Sequence, residues 1–141
     1  MSEQTGPQEI FARFRRNVLG GGLALTEDML AADVVVEMPF LPPALPRRVE
    51  GREAFLAFSK AGREGLPVTF TEFRDVVLHQ TTDPEVLIAE YVLAGRPNGS
   101  DEEYAAPFVV VMRVREGRVV HWREYQDMAA MAQAAGGLPE V

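Results

Sequence analysis

From Val68 to Gln126 the chain is almost continuously strand-forming, and no other feature narrows its possible folds as much. Four runs, Val68–Leu78, Val86–Gly95, Tyr104–Arg115 and Arg118–Gln126, are rich in β-branched and aromatic residues and are separated by turn-forming clusters. Only Glu116-Gly117 divides the last two, which predicts a tight hairpin. The segment from Arg96 to Glu103 holds Pro, Asn, Gly and three acids and reads as an exposed loop. A long antiparallel sheet must bury at least one face, so the rest of the chain has to supply its cover.

That cover is legible upstream. Ile10, Phe11, Phe14 and Val18 form an apolar stripe at helical spacing. Thr5 as cap, Pro7 in the first turn and Gln8 three residues after Thr5 mark its start, and Gly20-Gly21-Gly22 its stop. A short helix is expected from a Thr26 cap through Leu30, then a strand from Val34 to Phe40. Leu41 to Pro46 holds three prolines and must be a loop. Gly51 to Gly62 reads as a third helix with Phe55 and Phe58 on its inner face. Asp127 caps a last helix, Met128 to Ala135, ended by Gly136-Gly137. Helices followed by a long sheet give an α+β class in one domain spanning 1–141. A curved sheet folded over helices leaves a hollow wherever its concave face is not filled.

Composition removes several functions. The net charge is −7 and the basic residues are scattered among more numerous acids, so no basic patch for nucleic acid is expected. There is no cysteine, hence no disulfide, thiolate nucleophile or Cys-type zinc site. No apolar run approaches membrane-spanning length, and Met1 to Gln8 is unlike a signal peptide, so no membrane association and a cytoplasmic location are expected. No cofactor is expected either. Gly20-Gly21-Gly22 follows a helix rather than opening one, unlike a phosphate-cradling loop. His79 and His121 stand apart with no cluster of ligands, so no metal is expected.

Ala32-Asp33-Val34-Val35-Val36-Glu37-Met38-Pro39-Phe40, followed by Arg48-Val49-Glu50-Gly51, resembles the first strand and third-helix entry of the nuclear transport factor 2-like superfamily. Val111-Met112-Arg113-Val114-Arg115-Glu116-Gly117-Arg118-Val119-Val120 resembles its last hairpin. Trp122-Arg123-Glu124-Tyr125-Gln126-Asp127 resembles the closing segment of its SnoaL-like and phenazine-biosynthesis A/B branches. The likeness runs from about Phe11 to Gly136, and the tail from Met128 to Val141 resembles the phenazine proteins as well. It implies a cone: a curved antiparallel or mixed sheet wrapped around three N-terminal helices, with a short C-terminal helix.

The resemblance also implies which side chains face into the cone. Alternation then turns Val34, Val36 and Met38, Ala89, Tyr91 and Leu93, Phe108, Val110 and Met112, and Trp122, Glu124 and Gln126 inward, and Glu37, Glu90 and His121 outward. With Phe14, Phe55 and Phe58 from the helices, these give a mostly apolar lining for a small organic ligand. The ketosteroid isomerase residues of the superfamily do not carry over. Its base falls on Met38, its helix tyrosine on Phe14 and its strand aspartate on Val110, none of which can exchange a proton or donate to an enolate oxygen.

Glu124 is the one carboxylate this register turns inward, and it falls on a glutamate of the phenazine branch implied to act as an acid on a ketone or imine. Desolvation favours its protonated form, which suits a general acid. The other functional residue of that branch is a histidine, and His79 lies in a comparable stretch. Trp122 and Tyr91 read equally as packed core aromatics, and Met112, Met128 and Met131 as gap fillers. Val109, Val111, Val119 and Tyr125, among the charges of Glu90, Arg113 and Arg123, are expected on an outer sheet face that pairs two copies into a homodimer. Three functions are compatible with this reading. The first is a cofactor-free acid/base enzyme of secondary metabolism, a cyclase, isomerase or dehydratase; the others are a non-catalytic metabolite-binding protein and an assembly module with its cone packed shut.

Overall fold

The computed structural model describes residues 5–134. Its elements are α1 (Pro7–Leu19), a 3₁₀ turn (Glu27–Met29), β1 (Leu30–Glu37), β2 (Arg48–Glu50), α2 (Arg52–Glu64), β3 (Val68–Gln80), β4 (Val86–Pro97), β5 (Tyr104–Arg115), β6 (Arg118–Gln126) and α3 (Met128–Ala134). The strands form one six-stranded mixed sheet in the order β2-β1-β6-β5-β4-β3. Every pairing is antiparallel except β1 with β6, which is parallel. The Glu116-Gly117 hairpin forms as expected, with both residues at positive φ (53° and 78°), the twist that suits a two-residue connection. The α+β class and the mixed sheet anticipated above are present; the sheet is open, and the second of the three expected N-terminal helices is only the 3₁₀ turn.

The apolar stripe of α1 meets the concave face. Phe11 and Phe14 pack with Phe73, Tyr91 and Trp122, at ring-centroid distances of 4.8 to 6.1 Å among them. Tyr91 stacks on Phe108 at 5.4 Å. Val34, Val36, Ala89, Val110, Met112 and Trp122 are all buried, so the inward phase of β1, β4, β5 and β6 is as expected, and Leu93 packs against the same core. Burial of each large apolar side chain contributes about 1.5–3 kcal/mol relative to exposure.

Several local expectations fail for identifiable reasons. The helix from Thr26 is a single 3₁₀ turn, because the chain is drawn into β1 at Leu30 by pairing with Val119 of β6. The Thr26 hydroxyl goes to the Asp28 carboxylate (2.6 Å) instead of capping backbone. β1 ends at Glu37, since Pro39 has no N–H to continue the ladder. Thr5 forms no capping box; Gly6 precedes α1 and accepts from Ile10 N–H through its carbonyl (3.1 Å). Val119 is fully buried rather than outward. A β-bulge, in which Arg113 opposes His121 but Val114 opposes Val119, leaves Val120 as the extra residue and reverses the phase beyond it. Asp127 does cap α3, its carboxylate accepting from Ala130 N–H at 3.0 Å. The expected end of that helix at Ala135 with Gly136-Gly137, and the tail likeness beyond, lie outside the described residues.

The outer face is charged. Glu37 accepts from Arg123 (3.0 Å) and Arg48 (3.3 Å) and shares a hydrogen bond with His121 (2.6 Å). The bonds from His121 and Arg123, more than their charges, hold the Glu37 carboxyl down at about 2 despite partial burial. Arg113 pairs with Asp83 and Glu85. Phe40, largely exposed, stacks edge-on against Tyr125 at 5.3 Å. No helix among the described residues is long and apolar enough to cross a membrane.

Candidate functional site

β6 carries Trp122, Glu124 and Gln126 at alternate positions, so all three side chains leave the strand on its concave side. They form one wall of a cavity of about 310 Å³. α1 contributes Phe14, β1 and the residue after it Val36 and Met38, and α2 Phe55, Phe58 and Ser59. Of the expected lining residues, Phe14, Met38, Phe55, Phe58, Trp122, Glu124 and Gln126 are therefore brought together here. Tyr91, Phe108, Val110 and Met112 are not. Tyr91, Val110 and Met112 lie in the packed core, where Phe11, Phe14 and Phe73 fill that part of the concave face. Phe108 borders a separate small apolar hollow of about 100 Å³ with Met131 of α3.

Ser59, Leu25, Ala24, Gly62 and Leu66 also line the cavity and were not anticipated. For Ser59 and Gly62 the signal was available. Phe55, Phe58, Ser59 and Gly62 stand at i, i+3, i+4 and i+7, one face of α2. Leu25 and Leu66 come from loops, and no periodicity points to them.

The polar geometry centres on Glu124. Trp122 Nε1–H donates to its Oε1 (3.2 Å) and Gln126 Nε2–H to its Oε2 (3.1 Å). Part of the Glu124 surface is accessible, but it faces the cavity, and crowding by its neighbours still desolvates the carboxyl. That burial holds its pKa above the ordinary value, with the two hydrogen bonds pulling the other way and offsetting only part of the effect. Gln126 Oε1 is buried and has no hydrogen-bond partner among the described residues. Tyr91 lies close enough to feel Glu124. Burial first, and the Glu124 charge second, push its phenol well above the usual value, so it stays protonated.

His79 does not reach this site. It lies exposed on β3 and bonds Glu90 on β4. Among the described residues no group of three or more His, Cys, Asp or Glu side chains is placed to hold a metal ion.

Comparison with known proteins places this architecture. Residues 11–122 match the model of the SnoaL-like domain. An uncharacterized PhzA/B-like protein of Pseudomonas aeruginosa is 32% identical over 111 residues, covering 79% of this chain and 77% of the relative. Among solved structures, a Bacillus subtilis protein provisionally termed an isomerase superposes with a TM-score of 0.81 at 23% identity, covering 93% of each chain. The phenazine biosynthesis-related protein PhzB2 of Pseudomonas aeruginosa does so with a TM-score of 0.70 at 13% identity, covering 95% of this chain and 88% of that one. At those identities the structural likeness speaks for the fold alone.

Proposed function

The chain belongs to the SnoaL-like domain family, and on that premise we propose that it is a cofactor-free acid/base enzyme acting on a small, largely apolar metabolite, with Glu124 as the residue that moves the proton. One observation carries the reading: a desolvated carboxyl stands at the wall of an apolar cavity with a hydrogen-bond donor on each oxygen. A raised pKa serves both directions of transfer. The acid form persists closer to neutral pH and can protonate a carbonyl or imine. The conjugate base, when formed, is a stronger base than an exposed glutamate and can take a proton from the adjacent carbon. Returning that proton elsewhere on the same molecule gives an isomerisation; loss of water or attack of the enol carbon gives a dehydration or a cyclisation. Trp122 and Gln126 fix the carboxyl plane, and Phe14, Met38, Phe55 and Phe58 exclude water around it.

The family and the fold shared with these neighbours support a small-molecule pocket; the acid/base chemistry rests on Glu124. By the sequence resemblance, the catalytic positions of ketosteroid isomerase fall on Met38, Phe14 and Val110, which favours a second reading, a metabolite-binding protein without turnover. The same proposal takes the protein as a cytoplasmic homodimer, with Val109, Val111, Phe40 and Tyr125 meeting their copies across the outer sheet face.

A generic proton-abstraction substrate separates the two readings. 5-Nitrobenzisoxazole loses its ring C–H proton to a base as its N–O bond breaks, yielding a coloured phenolate nitrile. The wild-type protein should accelerate this above an acetate blank, and Glu124→Gln should lose about 10²–10⁴-fold of that acceleration with the fold intact. Equal acceleration by the variant removes Glu124 from the chemistry. Binding of the substrate by the wild type with no acceleration leaves the binding protein.

A further inference from the structure

The Glu124 cavity adjoins a second hollow, of about 180 Å³, with which it shares Ala24, Ser59, Gly62 and Leu66. Arg63, in the last turn of α2, lines that hollow. Arg63 is half-buried as a residue, and its guanidinium is held in place by neutral partners. Nε–H donates to the Gly21 carbonyl (3.2 Å), and Nη1–H to the carbonyls of Val68 (3.3 Å) and Leu66 (3.5 Å). The group lies over the Phe70 ring, 5.8 Å from its centroid.

These contacts explain why Arg63 is ordered but not why it is charged. As a brace it ties α2 to the glycine turn after α1 and to the start of β3. Arg48, Arg74, Arg113, Arg115 and Arg123 each meet a carboxylate. Arg63 meets none among the described residues, and no acidic side chain lines its hollow. Its Nη2 group donates to no described acceptor. Other arginines also lack an acidic partner, but among the described residues Arg63 is the one arginine on the wall of these two adjoining spaces. A cation braced by backbone carbonyls, with an NH₂ that meets no described acceptor, beside an apolar cavity is a site for an anion.

We propose that the ligand is an organic acid, with its ring or acyl body in the Glu124 cavity and its carboxylate on Arg63. This names the substrate class for the acid/base reading above and rests on that reading of the cavity. Arg63 and Glu124 also set the orientation. A carboxylate placed at the Glu124 end would share an apolar wall with a second carboxyl, whereas at the Arg63 end it meets a cation with no acidic partner among the described residues. The reacting carbonyl or imine is thereby delivered to Glu124 and the acid group to the hollow at the end of α2.

The test uses two probes that share a ring, 2-naphthoate and the neutral ketone 2-acetylnaphthalene, with binding read by titration calorimetry. The wild type should bind the naphthoate more tightly. Arg63→Gln should weaken naphthoate by about 10- to 100-fold and leave acetylnaphthalene unchanged. Arg63→Lys should recover part of the difference, and added salt should weaken naphthoate alone. Unchanged naphthoate affinity in Arg63→Gln, or an equal loss for both probes, overturns the assignment while the Glu124 cavity stands as a ligand site. If neither probe binds the wild type, the cavity reading fails and this proposal goes with it.

Discussion

Glu124→Gln should leave the protein at least as stable as the wild type at neutral pH, although it alters a part-buried hydrogen-bonded group. In the wild type Trp122 Nε1 and Gln126 Nε2 each donate to one carboxylate oxygen, and Gln126 Oε1 has no partner. The substitution turns one oxygen into an amide nitrogen. With Gln126 fixed, two NH₂ groups would face each other, and the lost buried bond would cost about 1–3 kcal/mol. Gln126 can instead turn its amide about its last bond and present the unpartnered Oε1 to the new nitrogen. The number of bonds is then conserved, and one orphaned acceptor becomes one orphaned donor. What remains is the removal of a desolvated charge.

The pH dependence separates these effects. The folded-state pKa of Glu124 lies above its unfolded value. In acid, below both, the carboxyl is protonated in both states and gives no pH-dependent difference. As pH rises through the unfolded value, the unfolded chain ionises first and the wild type loses stability, until the folded carboxyl ionises too. Glutamine does not titrate. Urea unfolding, followed by the fluorescence of the single tryptophan, should therefore show the variant gaining on the wild type as pH is raised from below the carboxyl range (about 4,) to neutrality. A variant weaker by about 1–3 kcal/mol at both ends of that range would refute the reasoning and make the carboxylate a structural hub.

Trp122→Phe keeps an aromatic ring beside Phe14 but removes the N–H that favours the Glu124 carboxylate, so the Glu124 pKa should rise further; carbon-13 NMR of labelled glutamate reads it, and an unchanged or lowered value counts against the hydrogen bond. Glu37 has the opposite slope. Its pKa is depressed from 4.5 to about 2, so its contribution is present above the unfolded value and lost as pH falls between the two. Glu37→Gln should thus be less stable than the wild type near neutrality, with the gap closing in acid; parallel melting curves for the two proteins across that window would show that the pairing of Glu37 with His121 and Arg123 contributes nothing.

The sheet was legible because strand alternation and a two-residue turn are local signals, whereas the inward facing of Glu124 came from the family resemblance, since alternation carried from the turn alone would have turned it outward. The bulge at Val120 was not legible. It depends on β6 lying between two partners whose registers shift together, β5 at Arg113–Val114 and β1 between Leu30 and Val35. Val119 was therefore turned the wrong way, while Trp122, Glu124 and Gln126, on the far side of the bulge, were turned correctly. The facing of Tyr91, Val110 and Met112 was right and their role was not, because alternation reports the face of a strand and not how far Phe11 and Phe14 reach across it. Arg63 gave no signal at all. Its partners, Gly21 and Val68, are drawn together by the tertiary fold, and a charge on an otherwise polar helix face reads as solvated.

The place of β6 in the sheet governs the order in which the molecule can be built. β1 and β2 pair with each other but reach the rest of the sheet only through β6, and the contact between Glu37 and Arg123 spans 86 residues. A nascent chain can close the β3-β4-β5 meander as it emerges, whereas β1, β2 and α2 have no sheet to join until the final strand is synthesised. That strand also brings Glu124, and the opposite walls of its cavity come from α1, α2 and β1. Completion of the sheet and arrival of the carboxyl in its apolar surroundings are one event. A chain cut anywhere before Arg118 loses the closure of its sheet and Glu124 together.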